Sequence, residues 1–472
     1  MGKLLTTALG LGLALAIPSQ GNEPSPMGPL SVHPANPRYF QNPATGKAVY
    51  LTGSHVWNNL QDMEPPGSSS SFDFDAYLDF LVRHHHNFIR LWRWESTGWD
   101  TSTSGWKNET TQFVVAPHPW KRTGPELALD GRPKFDLTEF DPSYFERLRS
   151  RLEAARRRGI YVSVMLFEGW GLQFAPDAWT NHPFHPGNNI NGIDGDANRD
   201  GQGVEIHELA DPRITRIQEA YVRKVIETVG DLDHVLYEIS NENHPASTEW
   251  QVHMIRFIKE LERGKPQRHP VGMTFQFQGG SNQTLFDSPA DWISPNPEGG
   301  YKDDPPASDG RKVILNDTDH LWGIGGNAPW VWKSFLRGHH PLFMDPYDGK
   351  VLAKPFDPEF EPVRRSLGQT LRFAERLDLA TMLPTKDLAS SGYCLASPGR
   401  AYLIYLPEGK AVDVELCQAS GTFAVEWFHP DSNRVKLGES VEGGAPVTFE
   451  SPFDTEDAVL LLQKESLKAG AP

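Results

Sequence analysis

Between residues 48 and 348, short runs rich in Val, Ile, Leu and Phe alternate with segments of helical periodicity. This order constrains the fold more than any other feature of the chain, because strand, helix, strand in repetition calls for parallel strands with helices packed against them. Eight runs qualify as strands, at 48–55, 87–94, 159–167, 234–242, 270–277, 291–297, 312–320 and 340–346. Between them, Asp141 with Pro142 opens a helix whose Phe145, Leu148, Leu152 and Ala155 keep one face apolar until Gly159. Asp211 with Pro212 does the same up to Gly230, each pair combining a side-chain cap with a ring already set for the first turn. Eight such units over about 300 residues predict an α/β fold of the (β/α)8 TIM-barrel type, with long insertions after strands two and three. A doubly wound sheet is the alternative, but no glycine-rich phosphate turn follows any of the strands.

A helical segment near 360–380 follows strand eight and can close the barrel. Beyond Pro384 the texture changes: YCLASP, AYLIYLP, AVDVELCQ, FAVEWFHP, PVTFESP and AVLLLQK are short β-rich runs separated by Gly, Pro and Ser. That pattern predicts a small antiparallel β-sandwich. At the other end, Lys3 precedes fourteen uncharged residues and then a polar, Pro-containing stretch, the pattern of a secretory signal peptide. The run is too short to span a bilayer. The chain thus divides into a leader over 1–21, a barrel over 28–384 and a sandwich over 385–467, with a secreted or periplasmic destination and no membrane span. Export would permit a bond between the two cysteines, Cys394 and Cys417; two free thiols are the other reading.

Composition narrows the function classes. The 45 basic residues against 61 acidic ones leave a net charge of -16, which repels a phosphate backbone and argues against nucleic acid as partner. Fourteen tryptophans in a chain with 42 Gly and 39 Pro suggest many loops on a rigid scaffold, with rings available as binding platforms.

In a TIM barrel the active site is built at the C-terminal ends of the strands. Strand four ends in Ser240, Asn241, Glu242 and Asn243, an amide beside a carboxylate at a strand tip. Strand seven ends in Asn316, Asp317, Thr318, Asp319 and His320, and side-chain alternation predicts that Asp317 and Asp319 face the same way. Carboxyls on strands four and seven lie across the barrel mouth, the arrangement glycoside hydrolysis needs: one protonates the leaving oxygen, the other attacks the anomeric carbon or activates water. A loop cap or a bound cation is the alternative role for the two aspartates.

On these residues the chain resembles glycoside hydrolase clan A. The resemblance implies Glu242 as acid/base after Asn241, a nucleophile at the end of strand seven, and Arg90 on strand two (Asn87, Phe88, Ile89, Arg90, Leu91) as the nucleophile's support. Within the clan it looks most like the apiosidase-like barrels that carry a C-terminal domain labelled collagen-binding, a likeness carried by the opening HPANPRYFQNPATGKAVYLTGSHVWNNLQD and the block from Tyr393 to Gln463. Two departures stand out. The clan has Glu on strand seven where this chain has only Asp317 and Asp319, and many members have Pro where Asn243 stands. Register favours Asp319 as nucleophile, with Asp317 as its neighbour or replacement. An Asp is one methylene shorter, so a separation beyond the roughly 5 to 5.5 Å of retaining enzymes is open; retention is implied by the resemblance alone.

Other strand-end residues are candidates for binding sugar: His55, Trp57 and Asn58 after strand one, Trp92, Arg93 and Glu95 after strand two, Glu168 and Trp170 after strand three. Asn296 and Tyr301 near strand six, Trp322 after strand seven, and Asp345 and Tyr347 after strand eight complete the ring. Such a rim suits sugars, whose apolar faces stack on Trp and whose hydroxyls need paired donors and acceptors. Glu238, four residues before Glu242, is read as part of an internal barrel layer. Asp194, Asp196, Asn198 and Asp200 have the alternate-oxygen spacing of a calcium loop, but Arg199 stands where an EF-hand requires Gly, and a polar substrate loop is preferred. His84, His85 and His86 end a helix on consecutive positions that point apart, so no metal is assigned. The sequence therefore reads as a glycosidase of poly- or oligosaccharides that requires no cofactor, the two carboxyls completing the chemistry. The alternative is a non-catalytic carbohydrate- or matrix-binding protein on a degenerate barrel.

Overall fold

The computed structural model describes residues 27–102, 111–347, 349, 358–454 and 457–465; the leader over 1–21 lies outside them. Eight parallel strands form the barrel wall: β1 (Gly53–His55), β2 (Phe88–Leu91), β3 (Tyr161–Glu168), β4 (Val235–Asn241), β5 (Val271–Thr274), β6 (Trp292–Ser294), β7 (Val313–Asp317) and β8 (His340–Met344). Hydrogen-bonded ladders run from β2 through β3 to β8 and then to β1. The seam between β1 and β2 is closed differently. Asn87 N–H donates to Thr52 O at 3.0 Å, while its side chain accepts from Thr52 N and donates to Tyr50 O. Gly53 makes this approach possible, since a Cβ there would stand 2.2 Å from the Phe88 carbonyl oxygen.

The helices form where the sequence signals them. Phe74–Arg83 (α1), Pro142–Arg157 (α2), Pro212–Val229 (α3), Thr248–Leu261 (α4), Ala328–Leu336 (α5) and Glu361–Arg376 (α6) are the longer ones. Asp141 accepts from Ser143 N at 2.9 Å and Asp211 from Arg213 N at 2.8 Å, satisfying backbone donors at the first turns of α2 and α3. Phe145, Leu148, Leu152 and Ala155 pack inward from α2 with the β3 and β4 residues Val162, Val164 and Val235. The strands are buried on both faces because helices cover one side and the barrel interior lies on the other.

Two expectations need correction. The run 48–55 is not one strand: Lys47–Val49 pairs with Phe40–Asn42 in a separate small sheet, and only Gly53–His55 enters the barrel. Strand seven stops at Asp317, and Thr318–Leu321 turn into a single helical turn. The insertion after β2 builds a hairpin of Trp120–Leu127 with Pro133–Phe140, and its strands Gly98–Asp100 and Gln112–Ala116 join Asp62–Glu64, from the segment after β1, in a three-stranded sheet.

The C-terminal sandwich begins in strand Leu383–Pro384, which already pairs with Cys394–Ser397. Its main sheet continues through Ala401–Leu406, Ala458–Lys464 and Thr422–His429 to the edge Arg434–Leu437, and Ala411–Val414 pairs with Val447–Glu450. Cys394 is buried, Cys417 is exposed, and both are free thiols. No helix of the described residues is long and apolar enough to cross a membrane.

Candidate active site

The site grows from Arg90 on β2, a guanidinium buried at the barrel axis. It donates from Nε and Nη2 to Glu238 on β4 (3.0 and 2.5 Å), from Nη1 to Asp317 (3.0 Å) and Asp319 (3.1 Å), and from Nη2 to Asn241 Oδ1 (2.5 Å). One cation thus faces three carboxylates. Glu238 is fully buried and consumed by Arg90, an internal layer residue as its position on β4 suggested.

Asp317 and Asp319 take different roles. Asp317 accepts from His55 Nε2 at 2.8 Å, from Arg90 and from the Asp319 backbone N–H, which makes it the N-cap of the 318–321 turn. Burial works to raise its pKa, and His55 and Arg90 overcome that, holding its carboxyl below the usual range. His55 is itself oriented by Trp92, whose indole N–H donates to Nδ1 at 2.9 Å, leaving Nε2 as the donor to Asp317. Asp319, one residue into the turn, projects into the open cavity instead. Burial raises it, Arg90 opposes and the Asp317 charge adds, so its carboxyl is pushed up to about 6. The two aspartates therefore reach Arg90 together through a strand end and a helix cap, not through strand alternation.

Glu242 directly follows β4 with φ of +42°, a left-handed conformation that a non-glycine residue adopts at a cost. Its carboxyl lines the same cavity as Asp319 and accepts no hydrogen bond among the described residues. Burial first, then the Asp319 charge, push its pKa well above the usual carboxylate range against the pull of Arg90. Below the pair, His320 donates from Nε2 to Asn241 Oδ1 (3.0 Å) while Ser294 Oγ meets Nδ1 (2.7 Å). Burial and Arg90 keep His320 uncharged.

The cavity has a volume of about 560 Å3 and is walled by rings. Trp57 and Trp99 stand with centroids 4.9 Å apart on one side. Trp170 stacks on Phe174 at 4.8 Å, and Phe174 meets Phe277 edge-on at 4.8 Å. Phe275 and Trp322 continue the wall, and Asp100, Pro297 and Lys302 also line it. Of the strand-end candidates, Trp57, Trp170 and Trp322 thus reach the cavity.

The others lie behind its wall. Trp92 and His55 form the support under Asp317, and Asn58 is buried beside them in the chain. Arg93 stacks 4.3 Å over Tyr221 and donates to Leu166 O. Glu95 accepts from His207 (2.8 Å) and lies 3.4 Å from Arg93; it also accepts the Glu168 backbone N–H. Glu168 is buried, and burial lifts its carboxyl to about 8 against the Gly171 N–H that it accepts. Asn296 is consumed by loop bonds to Asn282, Gly280 and Glu298. Tyr301 turns into the core and stacks on His339. Asp345 is paired with Arg364 at 2.5 Å, and Tyr347 packs on Phe80 and Tyr77. Chain position alone puts each of these in the ring; side-chain direction beyond the strand tips depends on loop packing that position does not encode.

The residues not anticipated are Asp100, Trp99, Phe174, Phe275, Phe277, Lys302 and His320. His320 adjoins Asp319 and is within reach of the DTDH run, whereas the rings sit on a three-residue strand (Trp99), a five-residue helix (Phe174) and the segment after β5 (Phe275 and Phe277), pieces too short to show a periodicity. His84 and His85 pair with Glu361 and Glu375, and His86 meets the Arg364 carbonyl, so the trio diverges. Asp196 accepts from Asp200 N and Gly201 N, folding that acidic run upon itself. Among the described residues no group of three His, Cys, Asp or Glu side chains is placed to hold a metal ion.

Residues 113–277 match the family model described as "Domain of unknown function (DUF6298)". Residues 381–463 match that of "Putative collagen-binding domain of a collagenase". No curated protein matches the chain. Among solved structures, one described as a glycoside hydrolase aligns over 94% of this chain and 98% of its own, with 11% identity and a TM-score of 0.63. A glycoside hydrolase of family 5 from Bacteroides vulgatus aligns over 93% of this chain and 94% of its own, with 11% identity and a TM-score of 0.61. The chain therefore shares the fold of these glycoside hydrolases, a TIM barrel followed by a β-sandwich.

Proposed function

We propose that the protein is an exported glycoside hydrolase that cleaves O-glycosidic bonds of a poly- or oligosaccharide with Glu242 and Asp319. The observation that carries this reading is an asymmetry: the two carboxyls line one cavity, yet Arg90 donates to Asp319 and not to Glu242. Neighbouring carboxyls cannot both ionise cheaply, and the cation decides which one does. Asp319 holds the charge and Glu242 keeps the proton. Glu242 then protonates the glycosidic oxygen while Asp319 attacks the anomeric carbon; in the second step the Glu242 carboxylate takes a proton from water, which releases the sugar from Asp319. Asn241 Oδ1 is occupied by Arg90 and His320, which fixes this side chain beside the carboxyl pair. The aromatic wall supplies stacking surfaces for sugar faces, and the open cavity supports turnover over a purely binding role. Retention and export come from the resemblance and from the leader pattern.

The test is reducing-end release from plant, algal and bacterial glycans by the wild type, Glu242→Gln and Asp319→Asn. Each variant is expected to lose at least about 10²-fold in rate, the scale of a positioned acid or base. Proton NMR of the first anomer formed reads the stereochemistry, with retention expected. Unchanged release by either variant would reject its assignment.

A further inference from the structure

The loop after β6 carries a residue that bears on which sugar the cavity takes. Gly299 and Gly300 adopt φ of +81° and +95°, a left-handed pair that only glycine adopts readily. They fold the loop back so that Asp303 N and Asp304 N both donate to Gly300 O. Tyr301 is driven into the core, where its carbonyl accepts from Trp330 Nε1 at 3.0 Å. The next residue, Lys302, is thereby directed at the cavity and held with Nζ 5.3 Å from the centre of the Trp322 ring.

Among the described residues, Lys302 is the one Lys or Arg that lines this cavity, and it makes no ion pair. The neighbouring acids do not neutralise it: Asp304 is turned away to accept from Tyr393 Oη at 2.8 Å, and Asp303 is exposed. The carboxylates on the wall are otherwise engaged, Asp319 with Arg90 and Asp100 with the Ser102 N–H at 2.8 Å. An ammonium over a ring face and without a counter-ion is open to pairing, and an anion that enters the cavity gains a charge-assisted hydrogen bond there. A neutral sugar brings no charge to pair.

We infer that the cavity is built for a glycan bearing a carboxylate, a uronic acid residue whose ring stacks on Trp322 and whose carboxyl group meets Lys302. This inference rests on the carbohydrate reading of the same cavity. It places the substrate's negative charge at the Lys302 rim rather than beside Asp319, where two anions would repel.

Binding and hydrolysis are measured separately so that the two readings fail separately. The Glu242→Gln protein is titrated calorimetrically with oligogalacturonate, oligoguluronate and glucuronoxylan oligosaccharides, each beside its carboxyl-reduced counterpart. At least one acidic probe is expected to bind about tenfold or more tighter than its reduced form, the scale of a charge-assisted hydrogen bond. Lys302→Met is expected to abolish that preference with little effect on the reduced form, and Lys302→Arg to keep it. Equal binding of acidic and reduced probes, or preference surviving in Lys302→Met, overturns the inference while leaving a neutral-sugar glycosidase intact. Absence of binding to every acidic probe overturns it as well. Binding of acidic probes without hydrolysis by the wild type supports the Lys302 role and removes the enzymatic reading.

Discussion

Arg90 sets the charge state of the site, and its removal is the sharpest residue-scale perturbation. With Asp319 ionised and Glu242 protonated as the working form, kcat/KM should be bell-shaped in pH. Activity falls as pH drops through about 6, where Asp319 takes up a proton, and falls again as pH rises through the elevated pKa of Glu242. The apparent values belong to the coupled pair. In Arg90→Met the guanidinium no longer favours the Asp319 anion, so the acid limb is expected to move to higher pH. The same change leaves Glu238, Asp317 and Asp319 buried without a cation, a loss on the order of 3–5 kcal/mol in folding stability. A pH–rate profile alongside thermal unfolding checks both; an unmoved acid limb in a folded variant would detach Asp319 from Arg90.

At the scale of elements, the end of β7 does two jobs in five residues. Asp317 caps the turn that begins at Thr318 and also holds His55 and Arg90. Asp317→Ala removes cap and ion pairs together and should let Asp319 drift, at roughly 10²-fold in activity for a misplacement on the order of 1 Å. Asp317→Asn keeps an effective cap and should retain more activity than the alanine variant, a comparison made by steady-state rates on folded protein. The sequence identified this element by its carboxylates but not by its conformation. Strand ends are legible because apolar runs stop there, and Glu242 and Asn241 can be placed on that basis, whereas Arg90 lies within its strand and is placed by the resemblance alone. Whether Asp319 continued the strand or began a turn depended on the bond from its N–H to Asp317, a side-chain cap that competes with strand extension. The sequence points to Tyr301 rather than Lys302 for the same kind of reason: in a loop folded by two glycines, neighbouring residues have no fixed parity. The sandwich strands carry a second element-scale prediction. Cys394 is buried on Cys394–Ser397, where burial raises its thiol to about 12, while Cys417 is exposed. A thiol reagent should label one cysteine in the native protein and two after unfolding, and a reductant should leave the melting temperature unchanged; a reductant-dependent melt would point to a bond between them.

On the scale of the whole molecule, barrel and sandwich share an apolar core. Trp332 and Phe335 from α5 and Leu371 and Phe373 from α6 pack with Leu403, Tyr405, Phe428, Val459 and Leu461 of the sandwich. Trp332 stacks on Tyr405 at 6.1 Å, and Phe373 meets Phe428 edge-on at 5.3 Å. Polar contacts fix the register around this patch, with Gln369 donating to Pro430 O at 2.7 Å and Arg376 forking onto Glu426 at 2.7 and 2.9 Å. A contact of this kind resembles the interior of a domain rather than a hinge between two. The small domain therefore covers barrel helices, and none of its described residues lines the cavity. The expected consequence is one cooperative unfolding transition by calorimetry, with the loss of glycosidase activity on heating tracking the loss of sandwich structure. Trp332→Ala removes a fully buried ring at the junction and should cost about 3–5 kcal/mol. It should lower that single transition without changing KM at temperatures where the protein stays folded. Two resolved transitions in the wild type, with only one displaced in Trp332→Ala, would mean that the interface couples the domains weakly and that the barrel stands on its own.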